Sequence, residues 1–268
     1  MKKKLSCIMT IILALCTVTP AYAASGDSMF KLPSMFLDVS DTHWAKSYIN
    51  QAYMDGYIIG YKTGEFQPEK TISKAEFMSI LSRINNTKVN DSQELKEIDG
   101  HWAEKDMLSL LNNGILVDLD ILHGFKPDDP ITRKDIAKLI AKSLAFNNNT
   151  FVRTLDSFKD SFVPLKDYKK ILADDYSPYI SIVFGTGIMV GKDDNRFDPD
   201  GLVTRAEASK VITDFVKAKG KAMNEFPNLL DLKQLNDILK GKARFDKDDS
   251  SETLKQYMIF AFNDAKLN

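Results

Sequence analysis

The feature that most limits what this chain can fold into is a helix start written three times. "VTRAEASKVI", Val203 to Ile212, has looser copies in "ISKAEFMSIL" from Ile72 and "ITRKDIAKLI" from Ile131. Such self-similarity marks a repeat architecture when other residues fall into the same register. Here they do. Phe66, Phe125 and Phe197 each lie seven residues before Ser73, Thr132 and Thr204, and Pro68, Pro127 and Pro199 follow each Phe by two. The glycine pairs Gly56/Gly60 and Gly187/Gly191 match in spacing, whereas the middle copy keeps Gly114 and has Asp118 at the second position. Further upstream stand "FLDVSDTHWAKSYI", "LKEIDGHWAEKDML" and a more divergent "FKDSF" with "DDYSPYI".

One unit therefore runs from an acidic lead-in through a helix, a glycine-bounded turn, a Phe-x-Pro loop and a second helix. In the first copy Trp44, Ala45, Tyr48, Ile49, Ala52 and Tyr53 recur at helical spacing, which predicts one apolar face. Asp41 stands where an N-cap belongs, and Gly56 is placed to end the helix. In the second helix Ser73 with Glu76, and Thr204 with Glu207, have the S/T-x-x-E form of a capping box, in which side chains satisfy the unpaired donors of a helix start. The middle copy has Asp135 for the Glu, which keeps the charge and shortens the reach.

Capping does not explain the basic residue between hydroxyl and acid. Lys74, Arg133 and Arg205 take the first helical position, where the helix dipole disfavours a cation by about 0.3–1 kcal/mol. Two readings stand: a salt bridge to a neighbouring carboxylate, or an anion site in which the cation joins exposed helix-start N–H groups. The second implies that deleting Arg205 leaves folding nearly untouched.

The 268 residues are 44% hydrophobic and 27% charged, a composition that suits a soluble globular protein. "MKKKLSCIMTIILALCTVTPAYA" has the basic start, the apolar run and the small residues Ala21 and Ala23 of a secretory signal peptide spanning residues 1–23. Its apolar run is shorter than the roughly 20 residues of a spanning helix, and no membrane span is expected after its removal. A lipoprotein start at Cys16 is opposed by the bulky Leu15. Both cysteines, Cys7 and Cys16, leave with this peptide, which excludes disulfides and cysteine catalysis from the mature chain. Losing Lys2, Lys3 and Lys4 takes the formal charge from -1 to -4, a poor balance for nucleic-acid binding.

Three registered copies behind such a peptide resemble the S-layer homology domains, found as tandem triplets in exported bacterial surface proteins. The resemblance covers Phe36 to about Val216 and is carried by "FLDVSDTHWA", "DGHWAE", the Phe-x-Pro loops and "VTRAEAS". It implies an all-α fold, three helix-loop-helix repeats in a pseudo-threefold bundle, over residues 30–90, 91–150 and 151–217, with a helical tail over 218–268. It also implies non-covalent anchoring through an anionic secondary cell-wall polysaccharide, commonly pyruvate-bearing, bound in grooves between repeats, with no catalysis, no cofactor and a cell-wall or S-layer location. The basic signature position falls on Lys74, Arg133 and Arg205, the hydroxyl position on Ser73, Thr132 and Thr204, and the acidic lead-in position on Asp38, Glu97 and Asp160. The aromatic falls on Trp44 and Trp102, with Tyr176 in the third copy. A pyruvate ketal would pair with the cations while an indole lies against the sugar face, although an indole at a helix start can equally belong to the core.

"RFDPDGLVTRAE" imitates a calcium loop, but Arg196 stands at position one and Glu207 is claimed by the capping box. His43, His101 and His123 lack metal spacing; the first two fit a role at the helix start. Neither a G-x-S-x-G elbow nor a carboxylate pair that stands out is present. The tail contains an amphipathic "LLDLKQLNDILKG" and a further expected helix, "ETLKQYMIFAF", after Ser251. These helices either cover the repeat body or present a surface to another exported protein. The rival to anchoring belongs to a different class of molecule, an exported structural or adaptor protein whose repeats and tail bind another surface protein instead of glycan.

Overall fold

A computed structural model describes residues 34–89, 95–121, 124–146, 148–159 and 161–239. The expected signal peptide, His123, Asp160 and the expected helix after Ser251 lie outside the described residues. The fold is all-α. The first unit supplies α1 (Lys46–Met54) and α2 (Lys74–Asn85), the middle unit α3 (Glu104–Asn112), the short α4 (Asp118–Ile121) and α5 (Arg133–Ala145). Then come α6 (Asn149–Ser157), α7 (Tyr168–Leu172), α8 (Ser177–Gly185), α9 (Arg205–Ala218), a 3-10 turn at Met223–Glu225 and α10 (Pro227–Leu239). Among the described residues, β pairing is limited to isolated bridges at the helix starts, Thr71 to Thr204, Ser73 to Pro130 and Thr132 to Leu202.

The main packing partner of a unit's second helix is not the first helix of its own unit. Each second helix packs on the first helix of the following unit, α2 on α3 and α5 on α8, and the last closes on the first, α9 on α1. At the centre the residues just before the three helix starts form a closed cycle of backbone hydrogen bonds. Ile72 donates to Val203 (2.9 Å), Val203 to Ile131 (3.4 Å) and Ile131 to Ile72 (3.1 Å). All three side chains are buried. Their apolar bulk holds the cycle dry, where a backbone hydrogen bond left unmade would cost most. Polar pairs lock the helix seams: Ser82 to Ser109 at 2.9 Å, Ser79 to Asp106, and Asn85 to Ser143 at 3.1 Å.

The third unit carries additional structure. α6 lies against α5 and α8, and α10 covers α8. Leu229, Leu232 and Leu235 of α10 are buried, at the positions their spacing predicts. A methyl group on Gly185 would meet Leu229 Cδ1 at 2.7 Å and its Cα at 3.0 Å, so glycine lets α8 and α10 approach closely. Asn236 accepts from Phe162 N (2.6 Å) and donates to Phe162 O (3.2 Å), tying α10 to the segment that leads into the third unit. α9 extends to Ala218, so the boundary expected at residue 217 falls within its last turn.

Candidate functional site

The helix starts show the expected caps. Ser73 and Glu76, and Thr204 and Glu207, form complete capping boxes. In the middle unit the shorter Asp135 accepts from the Thr132 hydroxyl (2.6 Å), while Thr132 still caps Asp135 N. Because each cap satisfies one donor at little other cost, Thr204→Ala should lower stability by about 0.5–2 kcal/mol. A thermal melt checks this; an unchanged melting temperature would refute the cap's role.

The expectation of exposed N–H groups beside a cation is corrected by the structure. The first two amides of each helix donate to loop carbonyls of the neighbouring unit: Lys74 and Ala75 to Asp129 and Pro127, Arg133 and Lys134 to Gly201 and Pro199, Arg205 and Ala206 to Lys70 and Pro68. The next amide is taken by the cap. Little of the donor set of a helix-terminal anion site remains.

The three cations extend the same interlock. Arg205 is 3% exposed. Its Nε donates to Phe66 O (2.8 Å), Nη2 to Ile59 O (2.7 Å) and Nη1 to Glu76 (3.0 Å), with the guanidinium 4.6 Å from the ring centres of Tyr61 and Phe66. Arg133 repeats the pattern one unit back, donating to Phe197 O (2.7 Å) and Val190 O (2.8 Å) and lying over the Phe197 ring. Desolvation lowers the affinity of Arg133 for its proton, opposed by the field of Glu207. Lys74 is shorter, reaching only the Phe125 ring face (5.2 Å) and Asp129 at 3.9 Å. The helix-start residue of each unit thus holds the Phe-x-Pro loop of the next.

The acidic lead-in position braces the same loops. Asp38 accepts from Phe66 N (2.8 Å) and Gln67 N (2.6 Å). Gln67 has φ +57, a left-handed conformation unusual for such a side chain, and the bidentate carboxylate supplies the compensation. In the third unit Asp167 does this work, accepting from Phe197 N (2.9 Å) and Asp198 N (2.8 Å), with Asp198 at φ +58. Asp167 lies after the divergent stretch in which the sequence reading sought the acid. Glu97 stands at the corresponding point of the middle unit, just before the buried Ile98.

The aromatic positions are open to solvent. Trp44 is 55% and Trp102 61% exposed, each beside the preceding histidine. His43 Nδ1 lies 3.1 Å from Ala45 N and His101 Nδ1 3.2 Å from Ala103 N, so both histidines serve the helix start as expected. Their Nε2 atoms face Glu69 and Asp128. Asp41 is not the N-cap: that position is Ala45, and Asp41 pairs with Lys46. Tyr176 occupies the helix-cap position that Ala45 and Ala103 hold, which puts Asp175 in register with the tryptophans.

Between the first and middle units these pieces enclose a cavity of about 420 Å³ lined by Tyr61, Lys70, Thr71, Ser73, Glu76, Trp102, Asp128 and Pro130. Glu76 is held by Arg205 and by the Tyr61 hydroxyl (3.1 Å). Aromatic faces, hydroxyls and fixed charges on rigid helix starts suit a sugar, which offers apolar ring faces and many hydroxyls. The corresponding groove between the middle and third units is occupied by the protein itself. The Tyr176 hydroxyl donates to Asp135 (3.1 Å), and burial beside that carboxylate raises the phenol well above its ordinary range. Lys134 pairs with Asp174 (3.2 Å) and Asp200 (3.0 Å), and Lys138 with Asp120. The remaining cavity there is about 200 Å³. The acids of the calcium-like run are similarly engaged, Asp198 with Lys192, Asp200 with Lys134 and Lys170, and Glu207 in its capping box.

The family model of the S-layer homology domain matches residues 36–78 and 164–209. Both matched segments contain a lead-in aspartate, a Phe-x-Pro loop and a capping box. An S-layer protein of Bacillus thuringiensis subsp. finitimus is 26% identical over 221 residues, covering 82% of this chain and 25% of its own length. S-layer protein EA1 of Bacillus anthracis is 26% identical over 234 residues, 87% of this chain and 25% of its own. A cellulosome-anchoring protein of Acetivibrio thermocellus is 31% identical over 115 residues, 41% of this chain and 26% of its own. The chain thus spans about a quarter of the length of these curated relatives.

Proposed function

The chain belongs to the S-layer homology family, and from that premise we propose that it is a non-catalytic anchor that holds to the cell wall by binding an anionic, pyruvate-bearing secondary wall polysaccharide. A location outside the membrane, at the wall or S-layer surface, accords with the family and with relatives that are themselves S-layer proteins. Among the described residues no helix is long and apolar enough to cross a membrane. The observation that carries the reading is the cavity between the first and middle units, where the exposed Trp102 faces Tyr61, Lys70 and Ser73.

An indole of that exposure can lie against one sugar ring while hydroxyls such as Ser73 and Thr71 meet its polar edge. The cavity is formed by two units at once, so the ligand bridges them without disturbing the caps. Co-sedimentation with purified wall tests the proposal. The protein should pellet with intact wall and stay in solution once the polysaccharide has been chemically removed. Equal pelleting with stripped wall would reject it and favour a protein receptor.

A further inference from the structure

We propose that Lys70, rather than the helix-start cations, is the residue that selects an anionic sugar, and that this selection operates in the first groove alone. The inference rests on the glycan reading above and names the group that reads the charge.

Within the first cavity the other charged side chains are two carboxylates that already have partners. Glu76 is paired with Arg205 at 3.0 Å, and Asp128 faces His101 at 3.3 Å. Arg205 itself is 3% exposed, with Nε, Nη1 and Nη2 directed at Phe66 O, Glu76 and Ile59 O. A ligand carboxylate could reach it only by displacing Glu76. Lys70 is exposed, lines the cavity, and among the described residues has no carboxylate partner. Its ammonium lies 4.6 Å from the Tyr61 ring centre, a cation–π contact that steers the charge toward the aromatic wall. Its backbone is fixed at both ends, N donating to Gln67 O (3.1 Å) and O accepting from Arg205 N (2.8 Å).

Register confines the device to one groove. Lys70 lies three residues before Ser73; the same position before Thr132 is Asp129, and before Thr204 it is Gly201. Asp129 places a carboxylate near Lys74 (3.9 Å), which would repel an anion, and Gly201 brings no charge. The second groove is in addition filled by Tyr176 on Asp135 and Lys134 on Asp174 and Asp200.

The chain has two tryptophans, so Trp44→Phe leaves Trp102 as the sole indole and a direct reporter of this cavity. The probes are a methyl glycoside carrying a pyruvate ketal and the same glycoside without it, titrated against the full chain while Trp102 emission is followed. The parent W44F should bind the ketal sugar in preference to the plain one. Adding Lys70→Ala should weaken the ketal sugar by roughly tenfold or more and abolish the preference, as expected for loss of a charge-assisted contact. Lys70→Arg should restore it, and the melting temperature should not move in either variant. Preference retained in Lys70→Ala overturns the assignment while leaving the glycan reading in place. Binding of neither sugar by W44F overturns both.

Discussion

Arg205→Ala should unfold well below the parent chain, by roughly 10 °C in a thermal melt. The substitution removes a guanidinium from a site 3% exposed, leaves Ile59 O and Phe66 O without that donor, and takes from the partly buried Glu76 its cation, although the Tyr61 hydroxyl and Ser73 N still donate to it. Breaking a buried pair from one side typically costs about 3–5 kcal/mol, because the surviving charge stays desolvated and unanswered. In a domain of this size each kcal/mol moves the midpoint by about 2–4 °C. Helix-dipole reasoning gives the opposite sign, since deleting a cation at a helix start should be neutral or mildly favourable. The dipole term is at most about 1 kcal/mol, so the buried contacts decide. Arg205→Lys should fall between, because one ammonium cannot span all three acceptors. Midpoints followed by far-ultraviolet circular dichroism test this, and a shift within 1–2 °C for Arg205→Ala would show that the loop closes without the arginine.

Truncation after Gly220 should have an effect of similar size. It removes the 3-10 turn and α10, and with them the buried Leu229, Leu232 and Leu235 and the two hydrogen bonds of Asn236 to Phe162. Burial of each such leucine contributes about 1.5–3 kcal/mol, offset in part by the entropy regained when the tail is freed. α8 would then show water a face that includes Gly185, which has no side chain to shield it. The expected result is a midpoint lower by at least 10 °C, or a chain that exposes enough apolar surface to bind a hydrophobic dye. An unchanged midpoint would return the tail to the role of a docking surface for another protein. The cut belongs after Gly220 because α9 runs to Ala218.

What could be read from the sequence was local. Ser73 with Glu76 and Thr204 with Glu207 form boxes because capping depends on residues three apart, a geometry the chain carries with it. The apolar spacing of Leu229, Leu232 and Leu235 announced a buried face for the same reason. Periodicity says that a face is buried without saying against what, so the pairing of α9 with α1 was not legible. Nor was the use of the first two helix amides, whose acceptors lie more than fifty residues away in sequence or, for Arg205, in the opposite half of the chain. Asp167 escaped notice because the register was carried by nearby motifs that the insertion had separated. Its signal was its distance from the Phe197-Asp198-Pro199 loop, which parallels that of Asp38 from Phe66.

The closure of α9 on α1 also constrains how the chain can acquire its structure. α1 is made early in the polypeptide, yet the surface that buries it is Arg205–Ala218, near the end of the repeat body. Contacts between such distant segments must wait for a long loop to be closed, which slows folding relative to helices that meet their sequence neighbours. A linear array could consolidate one unit at a time from either end; a ring has no finished face until its last helix is in place. If the chain is exported from its N-terminus onward, as its signal-like leader implies, the apolar side of α1 remains without its partner through most of the passage. The interval before closure, set by transit of the third unit, is when the chain is most exposed to proteases and to association with other unfinished copies.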